Sequence, residues 1–84
     1  MNAKKFIPYA NESDVIHIGN LMIENRVDRI TLSGDLDLTA DQAGLTDAKR
    51  LQQLLNDVVA KLEAQNLPVK LPPPDVQTVA NPFQ

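Results

Sequence analysis

The run Val15-Ile16-His17-Ile18-Gly19-Asn20-Leu21-Met22-Ile23-Glu24-Asn25, continued by Arg26-Val27-Asp28-Arg29-Ile30-Thr31-Leu32-Ser33-Gly34-Asp35-Leu36-Asp37-Leu38, alternates apolar and polar side chains with a period of two. Ile16 and Ile18 share one face, as do Leu21 and Ile23, Ile30 and Leu32, and Leu36 and Leu38. His17, Glu24, Arg29, Thr31, Ser33, Asp35 and Asp37 fall between them. Such alternation marks strands with one buried face and one wet face. Gly19-Asn20 reads as a tight turn or a bulge. Asn25-Arg26-Val27-Asp28 reads as a hairpin loop, and Gly34 as a bulge or bend within the last strand. The expectation is an antiparallel β-hairpin or three-stranded meander.

Downstream the period changes. Leu45, Ala48, Leu51, Leu55, Val58 and Leu62 recur every three or four positions, and Leu54 and Val59 widen the stripe. Asp47, Arg50, Gln53, Asn56, Asp57 and Lys61 fall on the opposite face, so one long amphipathic helix is predicted. Asp57 and Lys61 stand four apart in the favourable order. Thr39 has the character of an N-cap, with Gln42 completing a capping box and Asp41 where the helix dipole favours an anion. Gly44 costs roughly 1 kcal/mol inside a helix, which would move the regular start towards Thr46. Pro68 bounds the far end, because the residue before a proline is pushed out of the helical region. The fold class is α+β. Residues 14–66 form a ββα core domain, residues 1–13 a flexible N-terminal arm, and residues 67–84 an extended Pro-rich C-terminal tail.

Composition narrows the function classes. A chain of 84 residues holds one domain at most, and small domains bury a small fraction of their surface. Pairing with a second copy or a partner would relieve that shortage. The absence of Cys removes a disulfide framework, a thiolate zinc site and a cysteine nucleophile. No apolar run approaches the roughly 18 residues of a membrane-spanning helix. Two lysines near Met1 have no continuous apolar stretch behind them, so no secretory signal is read and a cytoplasmic location is expected. The net charge of −3 disfavours nucleic-acid binding, which needs a basic face.

Catalytic constellations find little support. His17 is the one imidazole, and alternation places it on the wet face, away from Ile16 and Ile18. Asp35, Asp37 and Asp41 could gather Ca²⁺ or Mg²⁺ in principle. They fail the EF-hand pattern, however, because Thr39, Ala40 and Thr46 occupy the fifth, sixth and twelfth loop positions. Solvated aspartates leading into a helix cap explain the same residues. With Gly19, Gly34 and Gly44 the only glycines, neither a nucleophile elbow nor a phosphate-cradling loop can be assembled. No enzyme, metal or cofactor is expected.

Ile30-Thr31-Leu32-Ser33-Gly34-Asp35-Leu36-Asp37, followed by a long helix, resembles the early strand–Gly-x-Leu-Asp–helix segment of STAS domains, the fold of anti-sigma-factor antagonists. The likeness covers less than half of the chain. It implies a regulatory role, parallel strand–helix units and a phosphorylatable Ser or Thr. This chain reaches Pro72-Pro73-Pro74 instead of further units, and no phosphosite carries over. In the tail, Leu71-Pro72-Pro73-Pro74 resembles ligands of proline-reading modules, which use a preformed extended helix. Asn81-Pro82-Phe83 is similar to the tripeptide bound by EH domains. A disordered terminus, or an arm packed on the body through Val76, Val79 and Phe83, fits the same residues.

The functional expectation is a non-catalytic protein-binding module, an adaptor or modulator that forms a homodimer through its helix. Contact is expected at Leu51, Leu54, Leu55, Val58 and Leu62, with a second patch at Arg26 and Arg29. The alternatives are a STAS-like regulatory fragment and a cation-binding accessory protein using Asp35, Asp37 and Asp41.

Overall fold

The structure, a computed structural model, describes residues 5–72. Strands β1 (Val15–Ile18), β2 (Leu21–Asn25) and β3 (Ile30–Ser33) form an antiparallel sheet in chain order, followed by one helix, α1 (Gln42–Glu63). This is the expected α+β meander and long helix. Ile16 faces Ile23, which in turn faces Leu32, while Ile18 faces Leu21 and Asn25 faces Ile30. Directly opposed residues share a face. One face therefore carries Ile16, Ile18, Leu21, Ile23, Ile30 and Leu32, and the other carries His17, Met22, Glu24, Thr31 and Ser33. Period-two alternation has become two chemically distinct surfaces.

Between β1 and β2, Gly19 (φ +59°) and Asn20 make a two-residue turn of type II′ form, so the bulge alternative drops out. The second hairpin differs from expectation. Asn25 ends β2 instead of opening the loop, and Arg26–Arg29 turn the chain, closed by the Arg26 N–H donating to the Arg29 carbonyl at 3.0 Å. Gly34 also acts differently, ending β3 rather than bending it. It adopts φ +102°, and a β-carbon there would overlap the Asn20 carbonyl. Leu36 and Leu38 consequently lie beyond the sheet, Leu36 packed against the core and Leu38 exposed.

The helix begins at Gln42 with Asp41, not Thr39, as its N-cap. Asp41 Oδ1 accepts the Gly44 N–H at 2.9 Å, and the Thr39 hydroxyl donates to the same oxygen at 2.6 Å. Thr39 thus braces the cap. Gly44 is buried in the first turn, where a β-carbon would overlap the Thr39 carbonyl oxygen. The helix therefore keeps its early start because the absent side chain admits the incoming backbone. Ala64 closes the other end, donating to the Ala60 carbonyl, with Lys61 in the last turn where a cation is favoured.

Ile18, Ile23 and Leu54 are the buried hydrophobic centre, ringed by Phe6, Ile16, Leu21, Ile30, Leu36, Leu51 and Val58. The segment ahead of β1 joins this body. Pro8 is buried, and the side chain of Asn25 reaches back to hold the segment. Its Nδ2 donates to the Ile7 carbonyl at 2.8 Å, and its Oδ1 accepts the Tyr9 N–H at 2.8 Å. Tyr9 takes φ +65°, rare for a residue with a side chain, at the point where the arm turns past this amide.

All strand pairs being antiparallel, the parallel topology implied by the STAS resemblance is not the topology of this sheet. Pro73 and Pro74, the positions Val76, Val79 and Phe83, and the Asn81-Pro82-Phe83 tripeptide lie outside the described residues.

Candidate interaction surface

Helix α1 approaches β1, with no comparably close approach to β2 or β3. Arg50 fixes that placement at the rim, donating from Nη2 to the His17 carbonyl at 3.2 Å. On the same flank Gln53, Leu54 and Asp57 line a shallow cleft with Phe6 and Ile16. Leu55 and Val59 stand well over a quarter-turn round the helix from Arg50. They occupy the opposite flank, on the side of β2 and β3.

The predicted contact residues separate accordingly. Leu54 is buried in the chain's own core, and Leu51 and Val58 pack against it. Leu62 is half-buried. Leu55 stays 45% exposed, Val59 50% and Leu45 54%, so the helix carries an apolar strip that no described residue fully covers. Leu32 belongs to the helix-covered face of the sheet, yet it is 44% exposed because α1 lies over β1 rather than β3. Leu45, Val59 and Leu32 were not among the expected contacts. Leu45 and Val59 belong to the helical stripe, and Leu32 to the strand alternation, but only the placement of α1 shows that they are left uncovered.

The second patch is made of local pairs. Arg26 stands 3.6 Å from Glu12, whose other carboxylate oxygen accepts the Val27 N–H at 2.8 Å. Arg29 grips Asp28 through Nε at 3.1 Å and Nη2 at 3.2 Å. That bond holds the Asp28 carboxyl below, and the Arg29 guanidinium above, their ordinary pKa values. Both arginines sit at the β2–β3 end of the sheet, away from the leucines of the helix centre.

The acidic segment does not converge. Asp41 is engaged as the helix cap, its pKa lowered first by the Thr39 hydroxyl and then by the Gly44 N–H. Among the described residues no group of three or more His, Cys, Asp or Glu side chains is arranged to hold an ion. Asp35 and Asp37 have no ion-pair partner among the described residues. His17 is exposed on the wet face, opposite Met22.

Two further clefts flank the helix. One of about 340 Å³ lies between Phe6–Pro8 and Asp57, Ala60 and Lys61. The other, about 290 Å³, lies between Tyr9, Val27 and Leu62 and the segment Leu67–Leu71. Both are open and predominantly apolar, unlike enclosed sites with converging polar groups. No helix of the described residues is long and apolar enough to cross a membrane. Comparison with known proteins finds no matching family model, no similar curated protein and no similar solved structure, so the residues themselves carry the functional reading.

Proposed function

We propose that this chain is a small non-catalytic protein-binding module, an adaptor or modulator, that self-associates through apolar surface its own fold leaves uncovered. One observation carries the reading. Among the described hydrophobic side chains only Ile18, Ile23 and Leu54 are buried, while Leu55, Val59, Leu45 and Leu32 stay about half exposed. Scattered exposed leucines are ordinary, but a strip along one helix flank beside an uncovered sheet margin is the mark of a recognition surface. The helix still contributes, through Leu55 and Val59 rather than through Leu54.

Sedimentation velocity of the whole chain across the micromolar range tests this, together with melting temperature as a function of concentration. An oligomer binding only to the folded state raises Tm with concentration. Leu55→Glu and Val59→Glu alter exposed positions, so they should weaken association while circular dichroism stays unchanged. A monomer at every concentration, with a fixed Tm, would refute self-association.

A further inference from the structure

Resting on that self-association, we propose that the second copy docks edge to edge on β3, running antiparallel to it, so that two three-stranded sheets become one. The backbone supplies the first reason. The Arg26 N–H to Arg29 carbonyl bond fixes which residues of the second hairpin face β2. Counting on by two, Thr31 and Ser33 face β2, where they stand opposite Glu24 and Met22. The N–H and C=O groups of Ile30 and Leu32 therefore point outward, and no described group bonds them. The other margin of the sheet differs, because the outward carbonyl of His17 on β1 is taken by Arg50. Natural edges are guarded by proline, charge, bulges or shortness. Ile30-Thr31-Leu32-Ser33 has only the last of these.

The side chains supply the second reason. A two-fold axis beside Thr31 places Ile30 of one copy opposite Leu32 of the other, and uses all four outward groups of each strand. Ile30 and Leu32 lie on the apolar face, so the same register forms two cross-strand aliphatic pairs. It covers the side chain that α1 leaves exposed on its own sheet.

Charge supplies the third. Arg29 precedes β3, and Asp35 and Asp37 follow it. Antiparallel self-pairing sets the cationic end of each strand beside the anionic end of the other, bringing Arg29 of one copy towards Asp35, just past the end of β3 in the other. Asp28 engages Nε and Nη2 of Arg29 and leaves Nη1 for a second carboxylate. A parallel pairing would set like charges together.

Leu32→Pro in the full chain is the direct test. Its N–H faces the open margin, so the monomer loses no hydrogen bond. The assembly loses a donor from each copy, and association should weaken by roughly tenfold or more. Arg29→Asp and Asp35→Arg should each weaken self-association. Mixed in equal amounts, the two variants should recover it as a heterodimer, since both opposite-charge contacts are then restored, one in the native sense and one reversed. This charge exchange alters exposed or half-exposed residues, so it decides the matter even if Leu32→Pro unfolds. A dimer untouched by these three changes but dissociated by Leu55→Glu would overturn the edge pairing and leave the binding-module reading intact. A wild-type chain that never associates overturns the edge pairing together with the self-association it rests on, and an edge that accepts only an unrelated extended peptide overturns the pairing of two copies.

Discussion

Replacing Asn25 by alanine removes two hydrogen bonds that tie the leading segment to β2. The Tyr9 N–H would lose its partner beside a buried position, while the Ile7 carbonyl would keep only the Ala10 N–H at 3.2 Å. Leaving a buried donor or acceptor unmatched costs about 1–3 kcal/mol, so Asn25→Ala should lower the urea midpoint strongly for an exposed-looking polar residue. Asn25 shares its face with Leu21 and Ile23, so alternation alone includes it in β2. Its identity pointed elsewhere, because asparagine is a habitual turn former. Asp41 makes a different prediction. Its folded pKa lies below the unfolded value, so its contribution is present above the ordinary aspartate range and lost as pH falls through the folded pKa. Asp41→Asn keeps a capping oxygen that does not titrate. The variant should therefore lose less Tm than the wild type on acidification from neutral pH to below about 4, measured by circular dichroism.

At the scale of the element, Gly44 inverts a general rule. Gly→Ala inside a helix ordinarily gains roughly 1 kcal/mol. Here the added methyl would collide with the Thr39 carbonyl, so Gly44→Ala should lower the thermal midpoint. A raised midpoint would show that the first turn can open without loss. The helix and strands themselves were legible, since each rests on a period that a single chain displays. The end of β3 was not. Leu36 and Leu38 keep the alternation going, but β2 has already reached its turn at Asn20, so no neighbour remains for a longer strand. Periodicity describes what a strand could bury; pairing also needs a partner of matching length. The cap was misplaced for a related reason. Thr39 and Asp41 are both capping types, and only the approach of the Thr39 backbone to Gly44 decides between them.

For the molecule as a whole, neighbouring leucines on α1 should behave very differently. Leu54→Ala opens a cavity in the chain's own centre and should cost about 2–5 kcal/mol in chemical denaturation. Leu55→Ala, at an exposed position, should change the stability of a dilute monomer little, within about 0.5 kcal/mol. Equal losses at the two sites would mean that the helix is rotated about its axis. The stripe in the sequence contains both residues and cannot rank them. Their ranking depends on the helix lying over β1, a long-range outcome that involves Arg50, Phe6 and the sheet together.

The amide of Asn25 also sets an order of events. Its partners, Tyr9 and Ile7, lie 16 and 18 positions earlier in the chain. The arm has nothing to fasten to until β2 exists, so it is expected to latch after the hairpins have formed. Contacts made after the rate-limiting step govern how quickly a protein comes apart rather than how quickly it forms. Removing that single carboxamide should therefore shorten the lifetime of the folded chain more than it slows its formation, which stopped-flow unfolding and refolding of Asn25→Ala would check.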